Sequence, residues 1–371
     1  MPKTKILHII KSLGRGGAET LLPETLKLHN SDKFEFHYIY FLPWKDQMVD
    51  SILNEGGQVT CLSASNNVKL LQQYPAVINY CKKHTIDLIH CHLPWSGFLG
   101  RIVYSKTKIP VVYTEHNIQE RYHILTKSLN KFSFNKQSLA LGVSKDVTRS
   151  ITENISPSIP VKTLLNGVNT KKFQRDVLKG NVIRNKFKIP ENALVIGNLA
   201  VFRDQKNIPD WLYAFKKISD KVENVFGLLV GAGPLENEIK VLVSSLGLEK
   251  KVILPGLQTD TVSYFSAMDI FMMSSEFEGL PIALLEAMSM KCAVVSTKAG
   301  GVVEVIRDTK DGILCEVGDI ESLSNSTLSL IQNASVRENF QKAARLRVIK
   351  EFSLENMVQK LEDVYENELN K

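Results

Sequence analysis

The stretch that decides the fold spans residues 271–286 and reads FMMSSEFEGLPIALLE. It opens as an apolar, strand-like run and continues into a short loop that carries Glu276 and Glu278. Gly279 gives the backbone freedom to turn, and Pro281 suits the first turn of a helix. A buried strand, a tight loop and a helix in this order predict one βα unit of an α/β domain.

The start of that helix is a candidate anion site. Ligands of open α/β sheets bind beyond the carboxyl ends of the strands, where a helix N-terminus offers free N–H groups and a partial positive charge. A diphosphate fits such a place. Glu278 and Glu286 are poor phosphate ligands but good acceptors for the hydrogens of sugar hydroxyls. The stretch therefore predicts a ligand that carries both phosphates and sugars.

The same alternation of apolar strands and helices fills the whole chain. Strand-like runs in the first half lie at 6–10, 36–41, 58–62, 87–91, 110–113, 139–143 and 162–165. Those in the second half lie at 194–198, 225–230, 251–253, 270–273, 293–296 and 312–315. Because a parallel crossover needs a dozen or more residues, usually a helix, this rhythm predicts parallel sheets covered on both faces. The predicted fold class is α/β, with two Rossmann-like, doubly wound domains.

We assign residues 1–172 to the first domain and 173–352 to the second. At 371 residues the chain exceeds the ~250 to 300 at which a single core stops growing. Apolar residues spaced by three and four over 354–364 predict an amphipathic terminal helix, and we expect residues 353–371 to pack back on the first domain. Because no long linker separates the halves, we expect them to face each other across a cleft.

Composition limits the class of protein. With 44% apolar and 23% charged residues, the chain is typical of globular proteins, which argues against disorder, collagen-like repeats and coiled coil. No run approaches the ~18 consecutive apolar residues of a membrane span, and the first residues do not resemble a signal peptide. Five cysteines without a close-set pair indicate neither a disulfide framework nor a zinc cluster. We expect a cytoplasmic protein.

Positive charge is concentrated in the first half. Residues 1–172 carry 22 Lys and Arg against 12 Asp and Glu, which leaves a net +10 there and −3 in the remainder of a chain of +7. Such asymmetry is typical of proteins that meet an acidic partner, whether phospholipid, phosphorylated substrate or nucleic acid, and also of a merely solvated face. No recognisable nucleic-acid motif supports a nucleic-acid partner.

Residues 120–136 predict a basic amphipathic helix. Its apolar positions recur every three or four residues at Tyr122, Leu125, Leu129 and Phe132. Such a helix either rests on anionic lipid, at the inner face of the membrane, or packs against the sheet. Both alternatives remain open from the sequence.

A basic turn and a glycine loop each follow a predicted strand. Arg203 and Lys206 flank a turn just beyond a predicted strand, where they could bind a diphosphate or simply face solvent. Residues 14–17 form a glycine loop after the first strand. This loop matches neither the GxGxxG nor the Walker A pattern, so it indicates only a close backbone approach.

Taken together, these features resemble a known family. The pair Glu278-x7-Glu286, the basic turn at 203–206, the glycine loop at 14–17 and the segment HCHLPWSG at 90–97 are similar to those of the GT-B retaining glycosyltransferases of family 4. Further matches lie at 114–117, 143–144, 166–168, 230–234 and 299–304. The resemblance spans nearly the whole chain, and the order and spacing of the motifs carry it.

The resemblance implies that the second domain binds a nucleotide-diphosphate sugar, which we expect to be a UDP-sugar. Glu286 would bind the ribose hydroxyls, and Glu278 would lie beside the donor sugar. The backbone of Gly279, Leu280 and Pro281 would hydrogen-bond to sugar and phosphate. No metal and no other cofactor is expected.

The resemblance also assigns the charge-stabilising groups. Arg203 and Lys206 would bind the diphosphate and stabilise the charge that develops as the glycosidic bond breaks. Gly16 and Gly17 would approach the same phosphates, and His92 would lie near the donor sugar and the acceptor hydroxyl. Many relatives place the arginine two residues before Arg203, so that assignment rests on the alternation of side chains along an extended segment.

On the acceptor side, the resemblance places His116 and Asn117 beside the acceptor. The implied activity is that of a hexosyltransferase in polysaccharide or glycolipid synthesis, acting on a sugar or lipid-linked acceptor with retention. A front-face route needs only positioning and charge stabilisation, whereas a double displacement needs Glu278 as nucleophile. Two other functions stay open: a nucleotide-sugar enzyme of the same architecture, such as an epimerase, and a nucleotide-binding protein without catalysis.

Overall fold

The computed structural model describes residues 2–371, which divide into two compact units. The first unit comprises the chain up to Asn166 together with Leu354–Lys371, and the second unit comprises Gly167–Ser353. Both units are α/β, and all strand pairs in them are parallel within the described residues. The predicted doubly wound α/β class is confirmed.

The boundary lies earlier than the sequence predicted. The first unit ends at Asn166, whereas we placed the boundary after residue 172. Val168 explains the difference, because its amide donates to the carbonyl of Phe352 at 2.9 Å. Residues 167–172 therefore belong to the second unit.

The first unit contains a sheet of seven strands in the order β3-β2-β1-β4-β5-β6-β7, counted over residues 2–371. Its strands are β1 Thr4–Ile9, β2 Phe34–Tyr40, β3 Gln58–Cys61, β4 Leu88–His92, β5 Val111–Glu115, β6 Leu139–Gly142 and β7 Val161–Thr163. Its helices before the boundary are α1 Gly17–Leu26, α2 Val49–Asn54, α3 Asn67–Gln72, α4 Tyr74–His84, α5 Pro94–Thr107, α6 Ile124–Ser133 and α7 Lys145–Ile155.

The second unit contains a sheet of six strands in the order β10-β9-β8-β11-β12-β13, again within the described chain. Its strands are β8 Leu194–Leu199, β9 Val225–Val230, β10 Val252–Gly256, β11 Ile270–Met273, β12 Ala293–Thr297 and β13 Ile313–Cys315. Its helices are α8 Val177–Lys186, α9 Ile208–Ser219, α10 Glu236–Ser245, α11 Thr261–Ala267, α12 Ile282–Ser289, α13 Val302–Val305, α14 Ile320–Gln332 and α15 Ala334–Glu351.

The chain ends in α16 (Leu354–Leu369), which belongs to the first unit. Tyr365 is fully buried in the apolar core that also contains Leu361. The Glu362 carboxylate accepts hydrogen bonds from the His29 ring at 2.9 Å and from the Asn30 amide at 2.8 Å. This helix thus completes the core of the first unit and brings a buried hydroxyl into it.

The strands β1, β4, β8 and β11 are central in their sheets, so helices cover both of their faces. This explains why they read as continuous apolar runs rather than alternating ones. Strand β4 is buried along its whole length, and so is β11. The polar side chains that remain on or just beyond these strands are therefore the candidate functional residues of each unit.

Helix α1 ends at Leu26 and contains Pro23 in its interior. The predicted helix over 120–136 is shorter, because a 3-10 turn at Gln119–Arg121 precedes α6. No helix among residues 2–371 has the length and apolar character needed to cross a membrane.

Candidate active site

Two loops of the second unit lie at the carboxyl ends of adjacent strands. One follows β8 and holds residues 200–207, and the other follows β11 and holds residues 274–281. The Glu276 amide donates to the carbonyl of Gln205 at 3.0 Å. The Gln205 side chain in turn donates from Nε2 to the carbonyl of Phe277 at 2.9 Å. The two loops therefore form one continuous surface.

An ion pair between Lys206 and Glu278 lies where the loops meet. Nζ of Lys206 lies 2.6 Å from Oε1 of Glu278, and the Ser275 hydroxyl donates to the same oxygen at 2.7 Å. Glu278 is only 4% exposed, whereas the Lys206 side chain is 23% exposed. The carboxylate is thus held from two sides, while the ammonium group keeps access to solvent. The sequence predicted both residues, and the structure brings them into contact.

The path of the loop after β8 depends on two glycines that follow β9. A Cβ atom on Gly231, whose φ is +138°, would lie 1.9 Å from the carbonyl oxygen of Ala200. One on Gly233 would lie 2.4 Å from the carbonyl oxygen of Phe202. Any larger side chain would push the loop away, because both contacts are with backbone. The glycines therefore set the position from which Arg203 projects.

The other predicted donor-side residues lie on the same two loops or on the helix that follows. Arg203 is exposed. Gly279 and Leu280 lie in the loop before α12, and Pro281 is the N-cap of that helix. Glu286 is partly exposed on the second turn of α12. Their predicted roles toward a nucleotide sugar stay predictions.

Four histidines line one cavity of about 30 Å³ in the first unit. His8 lies on β1, His90 and His92 lie on β4, and His116 follows β5. Burial lowers the pKa of all four side chains, to about 3 for His90 and about 4 for His116. The pKa values of His8 and His92 are lowered further by the neighbouring imidazoles. All four rings are therefore neutral near pH 7.

Three of these imidazoles form a group that could hold a metal ion. The ligand nitrogens of His8, His90 and His92 lie within 4.8 Å of one another. However, both ring nitrogens of His90 lie 2.7 Å from hydroxyls, those of Tyr365 and Thr114. Nδ1 of His8 lies 2.9 Å from Nε2 of His92. These contacts engage both nitrogens of His90 and join His8 to His92, so we interpret the cluster as a hydrogen-bond network.

Glu115, at the end of β5, holds the loop with the predicted acceptor-side residues. Its Oε1 accepts the backbone amides of His116 at 2.9 Å and Asn117 at 3.2 Å. The same carboxylate accepts the hydroxyl hydrogens of Tyr113 at 2.6 Å and Tyr122 at 2.5 Å. Burial raises the pKa of Glu115, and these hydrogen bonds oppose that shift. The loop is thus tied to a buried carboxylate.

The glycine loop leads into α1. Gly16 is the N-cap of this helix and Gly17 is its first residue. A Cβ atom on Gly16 would lie 2.3 Å from Oε2 of Glu19, which also accepts a hydrogen bond from Ser12 at 3.1 Å through its other oxygen. Glycine thus leaves room for a carboxylate at the helix start. The phosphate contacts of Gly16 and Gly17 remain predictions.

Helix α6 turns its apolar side chains toward solvent. The exposed fractions are 71% for Ile124, 67% for Leu125, 42% for Leu129 and 82% for Phe132. The opposite face is tied to the domain by Asn130, which is fully buried. With Trp95 on α5, three of these side chains border an open groove of about 650 Å³. We call Ile124, Leu125, Leu129 and Phe132 the α6 patch.

The predicted packing of this helix therefore needs a correction. Tyr122 was expected to share the apolar face, but it precedes α6, is half-buried and donates its hydroxyl to Glu115. Of the two alternatives for the helix, packing of the apolar face against the sheet is not what the structure shows.

Comparison with known proteins identifies the family. The model of the family 4 glycosyltransferases matches residues 15–172, and that of the group 1 glycosyl transferases matches residues 181–347. The chain belongs to the family 4 glycosyltransferases. Its resemblance to that family, inferred from the motifs, is confirmed, and this enzyme is a glycosyltransferase.

Relatives and solved structures agree with this assignment. A UDP-Gal:alpha-D-GlcNAc-diphosphoundecaprenol alpha-1,3-galactosyltransferase of Escherichia coli is 25% identical over 98% of this chain and 97% of its own. An N-acetyl-alpha-D-glucosaminyl L-malate synthase of Bacillus anthracis is 27% identical over 76% and 75%. The crystal structure of Anabaena HepE with UDP and glucose matches 98% of this chain and 100% of its own, with a TM-score of 0.87 and 20% identity. The fold of this glycosyltransferase is GT-B.

Sequence reasoning did not single out His8, Tyr365 or Glu115 in this glycosyltransferase. His8 interrupts the apolar run of β1, and a lone polar side chain in a central strand was the available signal. Tyr365 lies on the terminal helix, where nothing in the sequence distinguishes it from other core positions. Its partner His90 is 275 positions away in the sequence, which no local spacing can show.

Proposed function

We propose that the protein transfers a sugar from a UDP-sugar to a hydroxyl of a sugar or lipid-linked acceptor, in cell-surface polysaccharide or glycolipid synthesis. The observation that carries this proposal is the Lys206–Glu278 pair at the carboxyl ends of β8 and β11. The UDP in the HepE structure and the diphosphoundecaprenol in the name of the Escherichia coli relative support the donor and acceptor classes.

Donor binding is assigned to the second unit. Lys206 and Arg203 supply positive charge for a diphosphate, and the N-terminus of α12 adds free N–H groups. Glu286 accepts from ribose hydroxyls, and Glu278 accepts from a hydroxyl of the donor sugar. Because Lys206 already neutralises Glu278 at 2.6 Å, a bound diphosphate would share that ammonium with the carboxylate.

We infer a front-face route with retention. Oε1 of Glu278 is held by both Lys206 and Ser275, so a double displacement would have to use Oε2 as the nucleophile beneath the anomeric carbon. In the front-face route the leaving phosphate accepts the acceptor proton, and the protein supplies position and charge. Glu278 then orients the donor, and no metal is required.

The acceptor side is assigned to the first unit. Neutral His92 borders the histidine cavity, and the amides of His116 and Asn117 are fixed by Glu115. A neutral imidazole donates or accepts a hydrogen bond without adding charge. His92 therefore positions hydroxyl groups instead of delivering a full charge.

A transfer assay tests the proposal. Purified protein is incubated with UDP-, GDP- and ADP-sugars and a diphosphoundecaprenol-linked sugar, with and without EDTA, and the product linkage is read by NMR. We expect transfer from a UDP-sugar only, with the donor's anomeric configuration kept and with EDTA without effect. Conversion of free UDP-sugar without transfer would favour the epimerase-like alternative, and inversion would refute the front-face route.

We also propose that the α6 patch rests on an anionic membrane surface. Its apolar side chains are exposed next to cationic ones, and Nζ of Lys136 lies 5.6 Å from the ring centre of Phe132. Lys131 is exposed on the same helix. Each basic residue near an anionic surface contributes about 1 kcal/mol, and the apolar side chains add insertion into the interface. Such contact suits an enzyme with a lipid-linked acceptor.

Phe132→Ser should weaken binding to anionic liposomes about tenfold or more, because removing one exposed aromatic side chain from the interface costs on the order of 1.5 to 3 kcal/mol. Flotation with vesicles at low and high salt measures this. Leu178→Ser is the matched control, since Leu178 is 78% exposed on the second unit. Absence of salt-sensitive binding of the parent, or equal loss in both variants, would refute the membrane contact.

A further inference from the structure

A chain of hydrogen-bond contacts runs through the first unit and ends on His92. Nε2 of His90 lies 2.7 Å from Oγ1 of Thr114, and Nδ1 of His90 lies 2.7 Å from the Tyr365 hydroxyl. That hydroxyl lies 3.5 Å from Nε2 of His8, the longest contact of the chain. Nδ1 of His8 lies 2.9 Å from Nε2 of His92. All five side chains are buried.

The direction of the chain follows from its hydrogens. Each neutral imidazole carries one ring hydrogen and each hydroxyl carries one, so all donors in the chain must point the same way. If Thr114 donates to His90, then His90 donates to Tyr365. Tyr365 in turn donates to His8, and His8 donates to His92. The one hydrogen left over is then on Nδ1 of His92.

The reverse direction is less favourable. It would require His90 to donate to Thr114, and the structure records no second acceptor for the Thr114 hydroxyl hydrogen within residues 2–371. A buried hydroxyl without an acceptor loses the hydrogen bond it would make with water, at a cost of about 1–3 kcal/mol. In the forward direction the one hydrogen without a recorded acceptor lies instead on His92, whose ring borders the 30 Å³ cavity, where a water or ligand oxygen can accept it.

The free end of the chain lies on a ring that borders the cavity. Nδ1 of His92 is buried and has no hydrogen-bond partner among the described residues, and the ring of His92 borders the 30 Å³ cavity. A cavity of this size holds a water molecule or one hydroxyl group of a ligand. The open nitrogen is therefore the point at which a ligand oxygen can meet the chain.

We propose that His8 and Tyr365 are positioning residues that fix the tautomer of His92, so that its Nδ1–H points into the cavity as a hydrogen-bond donor. The use of this donor in catalysis rests on the proposed function. In sugar transfer, Nδ1–H of His92 donates to a hydroxyl oxygen of the acceptor, and His92 does not take up the acceptor proton. The terminal helix thus contributes to the site through Tyr365.

The tautomer is measured directly by NMR on full-length protein labelled with ¹⁵N-histidine. Two-bond ¹H–¹⁵N spectra distinguish the protonated from the bare ring nitrogen, and His92→Asn assigns the signals. We expect a single His92 pattern with the proton on Nδ1. A parent protein with the proton on Nε2 of His92 would overturn the proposal.

Two variants test the chain. Tyr365→Phe removes the hydroxyl between His90 and His8, and Thr114→Val removes the first donor while keeping the side-chain volume. Both are expected to give a mixture of His92 tautomers. Tyr80→Phe is the matched control, because its hydroxyl bonds another histidine of the same unit, His37, at 2.9 Å. An unchanged His92 pattern in both chain variants would also overturn the proposal.

Kinetics separate this inference from the proposed function. If the enzyme transfers sugar, Tyr365→Phe should lower kcat about two- to tenfold, the equivalent of one hydrogen bond, with little change in donor affinity. Tyr80→Phe should leave kcat unchanged. A protein that shows the Nδ1–H tautomer but transfers no sugar would keep the inference and refute the proposed function. Sugar transfer by a protein whose His92 carries its hydrogen on Nε2 would keep the proposed function and refute the inference.

Discussion

Lys206→Ala is expected to lower kcat/KM for sugar transfer by about 100- to 1,000-fold, the range found when one preorganised charge-stabilising donor is removed. Lys206 pairs at 2.6 Å with Glu278, the residue that we expect beside the donor sugar. Its ammonium group would stabilise the diphosphate as the glycosidic bond breaks. Steady-state kinetics with the UDP-sugar identified by the transfer assay measures the effect.

Folding must be separated from catalysis in this variant. Without Lys206, Glu278 is left as a buried carboxylate, which costs about 3–5 kcal/mol of stability. Adding Glu278→Gln removes that charge and should restore the thermal midpoint without restoring activity. Lys217→Ala, which breaks an exposed ion pair with Glu321, is the matched control. Recovery of activity in the double variant would show that Lys206 acts only through stability.

Acid is expected to destabilise the first unit strongly. His8, His90, His92 and His116 have pKa values lowered by burial, so they are neutral when folded but take up protons near pH 6.5 when unfolded. Their contribution to stability is present above pH 6.5 and is lost as pH falls. At pH 5 each buried histidine lowers the free energy of unfolding by about 2 kcal/mol. The four together therefore approach the whole free energy of unfolding of a typical domain, ~5–15 kcal/mol.

The Glu115 carboxyl changes the stability in the opposite direction as pH falls. The raised pKa of Glu115 means that its folded form gains a proton more easily on acidification, which offsets part of the loss. Calorimetry from pH 7.5 to 5 should still show a steep fall in the free energy of unfolding. His116→Asn should make this fall less steep, by the equivalent of about one bound proton. A flat profile over this range would contradict the burial of the histidines.

The fold class could be predicted from the sequence because strands and crossover helices each produce a recognisable local pattern of apolar residues. The βα unit at 271–286 has its strand, loop and helix where the pattern predicted them, and the strand order places β11 beside β8. The contact between Lys206 and Glu278 follows from that adjacency, since parallel strands end at the same edge. Both residues were placed in one site through the family resemblance, since the strand order was not predicted from the sequence.

The histidine network was beyond sequence reasoning for a physical reason. His8, His90 and Tyr365 come from β1, β4 and α16, and only the packing of the terminal helix on the first unit brings the three together. The outward face of α6 is a similar case. An amphipathic pattern predicts two faces but not which face turns inward, and the buried Asn130 decides this here.

The most direct test of donor recognition by the loops after β8 and β11 is isothermal titration of UDP-, GDP- and ADP-sugars into the full-length protein. We expect a UDP-sugar to bind the parent and to bind both Lys206→Ala and Glu286→Ala at least tenfold more weakly, the loss expected from one charge-assisted hydrogen bond. Binding of the UDP-sugar to these two variants as tightly as to the parent would contradict the site.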